Sequence, residues 1–339
     1  MPEISDPEAM PMKDSTPVAV ASRSFSRHPV LRAELLARYA NVTFNDTGRS
    51  LAGPDLIDFL RGKAKAITAL ERLDQTVFAA LPELKVVSKY GVGLDTIDME
   101  AMARHGVLLG WIGGINKRSV AELVMAFAIF LFHRVSEATR EVQGGIWRQL
   151  VGKQLTARTI GIVGCGHIGK DLAVLGRAFG CRVLAYDILD FPEFYAAHQV
   201  TPMGLEDLLG QSDLVTLHVP LDDSTRNMLS AERLALMKPG AFLINTARGN
   251  LVDEVALKTM LMDGRLAGAA FDVFATEPPE DRELLALPNF IATPHIGGST
   301  EDAILAMGRA AIAGLERAVP VREVLRVLRG GGPYLPPEN

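Results

Sequence analysis

Cysteine is nearly absent from this sequence. Only Cys165 and Cys181 occur, and neither stands in a metal-ligand spacing, which leaves no basis for a disulfide framework or a structural zinc. Such usage fits a reducing, cytoplasmic setting. No dense block of Lys and Arg is present and the formal net charge is -5, so the electrostatic footprint of nucleic-acid binding is missing and small solutes are the expected partners. Long apolar runs are missing too: Val120 to His133 is interrupted by Glu122 and falls short of the roughly 18 residues of a membrane span. It reads instead as a buried helix at a domain or subunit contact. Met1 to Thr16 has no apolar core, does not read as a secretory signal, and is expected to be a disordered tail. Short-period repeats are lacking, and the only biased segment is the Gly/Pro-rich tail after Arg329. What remains, 48% apolar and 22% charged residues with 6% aromatics, is the profile of a packed globular chain.

At 339 residues the chain is long for one core, and domain-size limits suggest roughly two. From Pro17, short β-rich runs alternate with helical segments. Val18-Ala19-Val20, Val42-Thr43-Phe44, Ala66-Ile67-Thr68, Lys85-Val86-Val87 and Val107-Leu108-Leu109 read as strands of one parallel sheet, ending near Gly113-Gly114. A second series runs through Thr159 to Val163, Arg182 to Tyr186, Leu214 to His218, Ala241 to Asn245, Ala267 to Asp272 and Asn289 to Thr293, enough for a doubly wound dinucleotide domain. The helical stretch from Thr300 to about Ala318 has no strand of its own to cover and is expected to fold back onto the first lobe.

Gly164-Cys165-Gly166-His167-Ile168-Gly169 follows a predicted strand and opens a helical run from Lys170 to Phe179. In that context the first glycine permits a tight turn, the second lets backbone approach a pyrophosphate, and the third allows close helix-to-strand packing. Asp187 ends the next strand, 18 residues beyond Gly169, where a carboxylate accepts bonds from the adenosine ribose and repels a 2′-phosphate. With Ile188 and Leu189 after it and no Arg beside it, NAD is favoured over NADP. His218-Val219-Pro220 ends another strand on the ligand side, although a lone His there is more often structural than catalytic.

Polar residues also end three apolar strands: Asn245-Thr246-Ala247-Arg248-Gly249, Phe271-Asp272 through Thr276-Glu277-Pro278, and Thr293-Pro294-His295-Ile296-Gly297-Gly298. Strand ends on the ligand side of a dinucleotide domain converge, so Arg248, Glu277 and His295 can meet there. Each also has a bland reading: a surface ion pair for Arg248, a solvated loop acid for Glu277, a core histidine for His295.

With Lys89-Tyr90-Gly91-Val92-Gly93-Leu94-Asp95, Asn116, Ser119-Val120-Ala121-Glu122, and Met237-Lys238-Pro239-Gly240, these segments make the chain resemble the D-2-hydroxyacid dehydrogenase family from about Val18 to Glu316. The resemblance includes the dehydrogenase portion of D-3-phosphoglycerate dehydrogenases. It implies a Rossmann NAD domain (115-295) inserted in a flavodoxin-like substrate domain (17-114 and 296-325), with tails at 1-16 and 326-339. It implies Arg248, Glu277 and His295 as the catalytic set, with Gly164, Gly166, His167, Ile168, Gly169, Asp187, His218, Pro220, Thr246, Asp272, His295 and Gly297 around NAD and no metal. Reducing a 2-keto acid needs hydride at C2 and a proton on the oxygen, which a histidine can deliver and a neighbouring carboxylate can support. Arg248 offers a planar fork for the substrate carboxylate, joined from the first lobe by backbone N–H groups of Tyr90, Gly91, Val92 and Gly93.

The sequence departs from the phosphoglycerate-type pattern after Ile67. Thr68-Ala69 stands where those enzymes have an Arg-Ser pair for the substrate phosphate, and Glu71-Arg72 follows. Trp111, in Gly110-Trp111-Ile112-Gly113-Gly114, is expected to narrow the pocket, and no C-terminal regulatory domain is expected. Phosphoglycerate and phosphite dehydrogenases remain alternatives, since phosphite enzymes keep the same triad, whereas formate dehydrogenases place Gln where this chain has Glu277. A nucleotide-sensing corepressor of the same fold would need a peptide-binding cleft and long extra segments, for which there is no signal. The apolar 120–133 helix and the resemblance both favour a homodimer joined through the nucleotide domains.

Overall fold

The computed structural model describes residues 12–328, and the chain separates into two compact units. One comprises the residues up to Gly113 and those from Leu305 onward, the other Gly114–Ile304. Both are α/β units on parallel sheets.

In the first unit, β1 (Val18–Val20), β2 (Val42–Phe44), β3 (Lys65–Thr68), β4 (Val86–Lys89) and β5 (Leu108–Gly110) form a sheet of order β2-β1-β3-β4-β5. Its strands are short apolar runs because both faces are covered, as a parallel sheet requires. Successive side chains serve opposite cores: Val18 and Val20 pack with Leu31, Leu35 and Tyr39, while Ala19 and Ala21 pack with Leu56, Leu60 and Leu73. Part of the first cover comes from the far end of the chain. The helix Glu301–Gly314 contributes Ala311 and Ile312 to that core, Ser88 Oγ donates to the Ala311 carbonyl at 2.7 Å, and Arg309 pairs with Glu34 at 2.8 Å. Glycine at 110 is required by this approach, since a Cβ there would lie 2.3 Å from the Gly314 carbonyl oxygen.

In the second unit, β6 (Thr159–Val163), β7 (Arg182–Tyr186), β8 (Val200–Pro202), β9 (Leu214–Leu217), β10 (Ala241–Asn245), β11 (Leu266–Phe271) and β12 (Phe290–Ala292) form a parallel sheet of order β12-β11-β10-β9-β6-β7-β8. The strand order reverses direction at β6 and β9, the crevice where such sheets bind nucleotides. Again the faces alternate: Ala241 and Leu243 pack on one core, Phe242 and Ile244 on the other. The apolar helix Lys117–His133 covers the second face, burying Val124, Ala128 and Leu131 there. Among the described residues, no single helix is long and apolar enough to cross a membrane.

One strand goes unread in the sequence, and three expectations need correction. Strand β8 is not legible in the sequence, being three residues at the sheet edge that end in Pro202, where a missing N–H is tolerated. Residues 296–304 belong with the second unit and not the first, because Asp272 binds the N–H groups of Ile296 and Gly297. The expected N-terminal tail is tied down at Asp14, whose N–H donates to the Arg38 carbonyl at 2.8 Å and whose carbonyl accepts from Ala40. A helix runs over Val321–Leu328, into the segment expected to be a tail. The rest of both expected tails lies outside the described residues.

Candidate active site

The register of the second sheet builds the site. Tyr186 pairs with Val163, Val163 with Leu217, Leu217 with Asn245, Asn245 with Phe271, and Phe271 with Ala292. The residues that follow these strand ends therefore line one edge, at roughly 5 Å per strand: Asp187, Gly164, His218, Thr246, Asp272 and Thr293. The ladder continues past the strands, with the His218 N–H on the Val163 carbonyl at 2.7 Å and the Asp272 N–H on that of Asn245 at 2.9 Å.

The three glycines of the first turn have separate reasons. Gly164 has φ of +98°, and a Cβ there would lie 2.7 Å from the His218 backbone. A Cβ on Gly169 would lie 2.1 Å from the Gly164 carbonyl oxygen, whereas Gly166 faces open space. Only the second glycine thus leaves room for a ligand, over the N-terminus of the helix His167–Ala178 that begins with His167, Ile168 and Gly169. Asp187 Oδ2 accepts from the Cys165 N–H at 2.7 Å, which holds the carboxylate beside the turn. His218 Nδ1 and Thr246 Oγ1 are buried without a hydrogen-bond partner, as a site shaped for a polar ligand would leave them. His218 Nε2 lies 3.0 Å from Thr216 Oγ1, and burial pulls its pKa down to about 3. Its ring is neutral near pH 7, as is that of His167, lowered by burial and by Lys117 and Lys170. The open turn and the two orphaned atoms fit a dinucleotide.

At the other end of the edge, His295 Nδ1 lies 3.0 Å from Glu277 Oε2, and both side chains are about half exposed. The bland readings of Glu277 and His295 as unrelated residues do not hold. Glu277 is itself oriented, since its Oε1 accepts from the Phe274 N–H at 3.2 Å. His295 has φ of +55°, a left-handed conformation that a non-glycine residue adopts at a cost of about 1–3 kcal/mol. What enforces it is Asp272, only 1% exposed, which accepts from Thr293 Oγ1 at 2.5 Å and from the N–H groups of Ile296 and Gly297, both at 2.7 Å. Ser119 Oγ closes the same loop with a 2.6 Å bond to the Gly297 carbonyl. Asp272 and Gly297, grouped by the sequence reading with the cofactor, are thus engaged in shaping the His295 loop. Ser119 was legible only as part of a motif, because its partner is 178 positions away.

Arg248 lies on a loop held from below. Asn245 Nδ2 donates to the Arg248 carbonyl at 2.8 Å, and Asn245 Oδ1 accepts from the Ala247 N–H at 3.0 Å. Gly249 packs directly on the Phe274 backbone, where a Cβ would lie 1.9 Å from the carbonyl oxygen, so the Arg248 loop and the Glu277 loop meet through backbone. Pro220 follows β9 as an exposed residue whose carbonyl accepts from Thr225 Oγ1 at 2.7 Å.

In the first unit, the loop after β4 holds Tyr90, Gly91, Val92 and Gly93. The Tyr90 N–H donates to the Thr68 carbonyl at 2.8 Å, and its ring packs edge-on against Phe25. The N–H groups of Gly91, Val92 and Gly93 have no acceptor among the described residues. Beside this loop, Glu71 is 6% exposed and its Oε2 accepts the Ala69 N–H at 2.6 Å, while Lys89 Nζ binds the Ala69 carbonyl. Trp111, expected from the sequence to narrow the pocket, is 7% exposed, within the core around Val87, Leu109 and Val321.

Known proteins carry the same organisation. The family model for the NAD binding domain of D-isomer specific 2-hydroxyacid dehydrogenases matches residues 125–297. Hydroxypyruvate reductase of Thermotoga maritima is 37% identical over 246 residues, covering 70% of this chain and 78% of that protein. D-3-phosphoglycerate dehydrogenase of Mycobacterium leprae is 36% identical over 282 residues, 81% of this chain but 53% of its own, so this chain spans about half the length of that relative. The structure of D-lactate dehydrogenase from Aquifex aeolicus, complexed with NAD and lactic acid, matches with a TM-score of 0.76 at 26% identity over 92% of this chain and 95% of that one. With its glycine turn, its strand-edge carboxylate and its His–Glu pair inside the matched region, the chain belongs to the D-isomer specific 2-hydroxyacid dehydrogenase family.

Proposed function

We propose that the protein is an NAD-dependent oxidoreductase that interconverts a small, unphosphorylated 2-keto acid and its D-2-hydroxy acid. The observation that carries this reading is the 3.0 Å His295–Glu277 contact at the same sheet edge as the glycine turn. NADH, when bound, would supply the hydride for C2 of the keto acid. His295 gives its ring proton to the C2 oxygen as that oxygen becomes a hydroxyl, and takes it back in the oxidative direction. Glu277 keeps the ring oriented through the 3.0 Å contact with Nδ1. Arg248 offers its planar fork to the substrate carboxylate and polarises the C2 carbonyl, and in the first unit the N–H groups of Gly91, Val92 and Gly93, without acceptors among the described residues, are donors suited to a carboxylate. Gly164, Gly166, His167, Ile168 and Gly169 would hold the pyrophosphate, Asp187 the ribose, and His218, Pro220 and Thr246 the nicotinamide half, with NAD preferred to NADP. Asp272 and Gly297 act through the His295 loop.

Initial rates of NADH consumption with glyoxylate, hydroxypyruvate, pyruvate, phosphohydroxypyruvate and longer 2-keto acids test the reading. Turnover of none of them would sink it and favour a nucleotide-sensing role.

The working form is a homodimer joined through the second unit. The helix Val135–Gln143 buries no residue, and after it Ile146, Trp147 and Val151 are exposed, Trp147 by 87%. A groove of about 500 Å³, lined by Phe130, Phe132, Met262, Leu287 and Ile291, lies on the same unit and is of a size to accept such side chains from a second copy. The two unpaired, buried cysteines suit a cytoplasmic enzyme.

A further inference from the structure

The Nε1–H of Trp111 donates to the Val92 carbonyl at 2.8 Å, from an indole otherwise enclosed by the core of the first unit. Val92 stands between two glycines, the first with φ of +132°. A stretch of this composition has little intrinsic preference for one peptide orientation over its flipped alternative. Among the described residues, the indole makes the only hydrogen bond to Val92, so one side chain selects the orientation of this peptide. Across a planar trans peptide, a carbonyl and the following N–H point in opposite directions. Turning the Val92 carbonyl inward onto Trp111 therefore turns the Gly93 N–H outward, and that N–H has no acceptor among the described residues.

We infer that Trp111 is a positioning residue: its indole N–H locks the Val92–Gly93 peptide so that the Gly93 N–H faces the carboxylate of the bound 2-keto acid. This rests on the reading of the Tyr90–Gly93 loop as the carboxylate cradle. A donor fixed in advance needs no reorganisation when the anion arrives, whereas a loop free to flip presents a carbonyl oxygen to that anion for part of the time. The effect belongs to acid binding, because the reacting C2 and the hydride are served by other residues.

Trp111→Phe removes the N–H and keeps an aromatic ring. With glyoxylate and hydroxypyruvate as probes, we expect KM for the acid to rise about tenfold, while kcat, KM for NADH and Tm stay close to wild type. Gly93→Pro, which deletes the donor itself, should raise the same KM at least as much. If Gly93→Pro binds NADH normally and leaves KM for the acid unchanged, the cradle reading fails and the inference with it. If Gly93→Pro raises KM and Trp111→Phe does not, the cradle stands and the role of Trp111 is overturned. A Trp111→Phe protein that loses NADH affinity and Tm in step with acid affinity would mark the indole as packing alone, and would equally overturn it.

Discussion

A substrate phosphate would meet the wrong chemistry beside β3. The Ala69 N–H, a backbone donor next to the loop after β4, is already occupied by the Glu71 carboxylate at 2.6 Å, and the Ala69 carbonyl by Lys89. Thr68 is fully buried and brings one neutral hydroxyl, which has no partner, while Arg72 is exposed. Lacking a guanidinium, the site forgoes a charge-assisted bond worth about 1.5–3 kcal/mol, or roughly one to two decades in affinity. The buried carboxylate of Glu71 adds repulsion against an anion that carries close to two charges. Hydroxypyruvate should therefore be reduced with a kcat/KM about tenfold or more above that of phosphohydroxypyruvate. Glu71→Gln keeps an oxygen for the Ala69 N–H but removes the charge, and should narrow the gap roughly fivefold without changing the rate with hydroxypyruvate. Initial rates at 340 nm, taken at fixed ionic strength because screening alone alters affinity for the phosphorylated acid, measure both ratios. A clear preference of the wild type for phosphohydroxypyruvate would refute the reasoning and point to Arg72 or another cation as a phosphate clamp.

Glu277→Gln should lower kcat for keto-acid reduction about tenfold with little change in KM for NADH, and an unchanged kcat would remove the carboxylate from the mechanism. Asp187→Ala should weaken NAD use and narrow the gap to NADP; a wild type that already uses NADP equally well would contradict the assigned role. His218 has a folded pKa of about 3 against an ordinary value of 6.5, so between those values the unfolded chain binds a proton that the folded chain does not. Stability is then lost as pH falls from about 6.5 towards 3. His218→Asn should lose less Tm than wild type between pH 7.5 and 4.5, and equal losses would argue against a buried neutral ring. Trp147→Glu should shift the protein to monomer in light scattering at micromolar concentration, an outcome excluded if the wild type is itself monomeric.

Much of this protein was legible in one dimension, because its sheets are parallel and covered on both faces. Such strands must be short apolar runs separated by helices, and each run ends where the ligand edge begins. The glycine turn was readable for the same local reason: Gly164, Gly166 and Gly169 answer constraints set within a few residues of each other, and Asp187 follows on the adjacent strand. The edge strand β8 escaped because three residues ending in proline carry no period. Residues joined through space could be grouped from their strand ends and the family resemblance, but not given a geometry. The sequence placed Glu277 and His295 on separate loops, and only the register of β11 with β12 and the buried Asp272 bring them to 3.0 Å and hold His295 at a positive φ. Trp111 read as a bulky pocket residue, yet its direction depends on the core beneath it, and a side chain's orientation is set by what it packs against. Glu71 is a charged residue in a loop by sequence, and only the fold buries it on the Ala69 N–H. Local rules decide which backbone is built, whereas burial and register, set by residues tens to hundreds of positions apart, decide which polar atoms are left free to do chemistry.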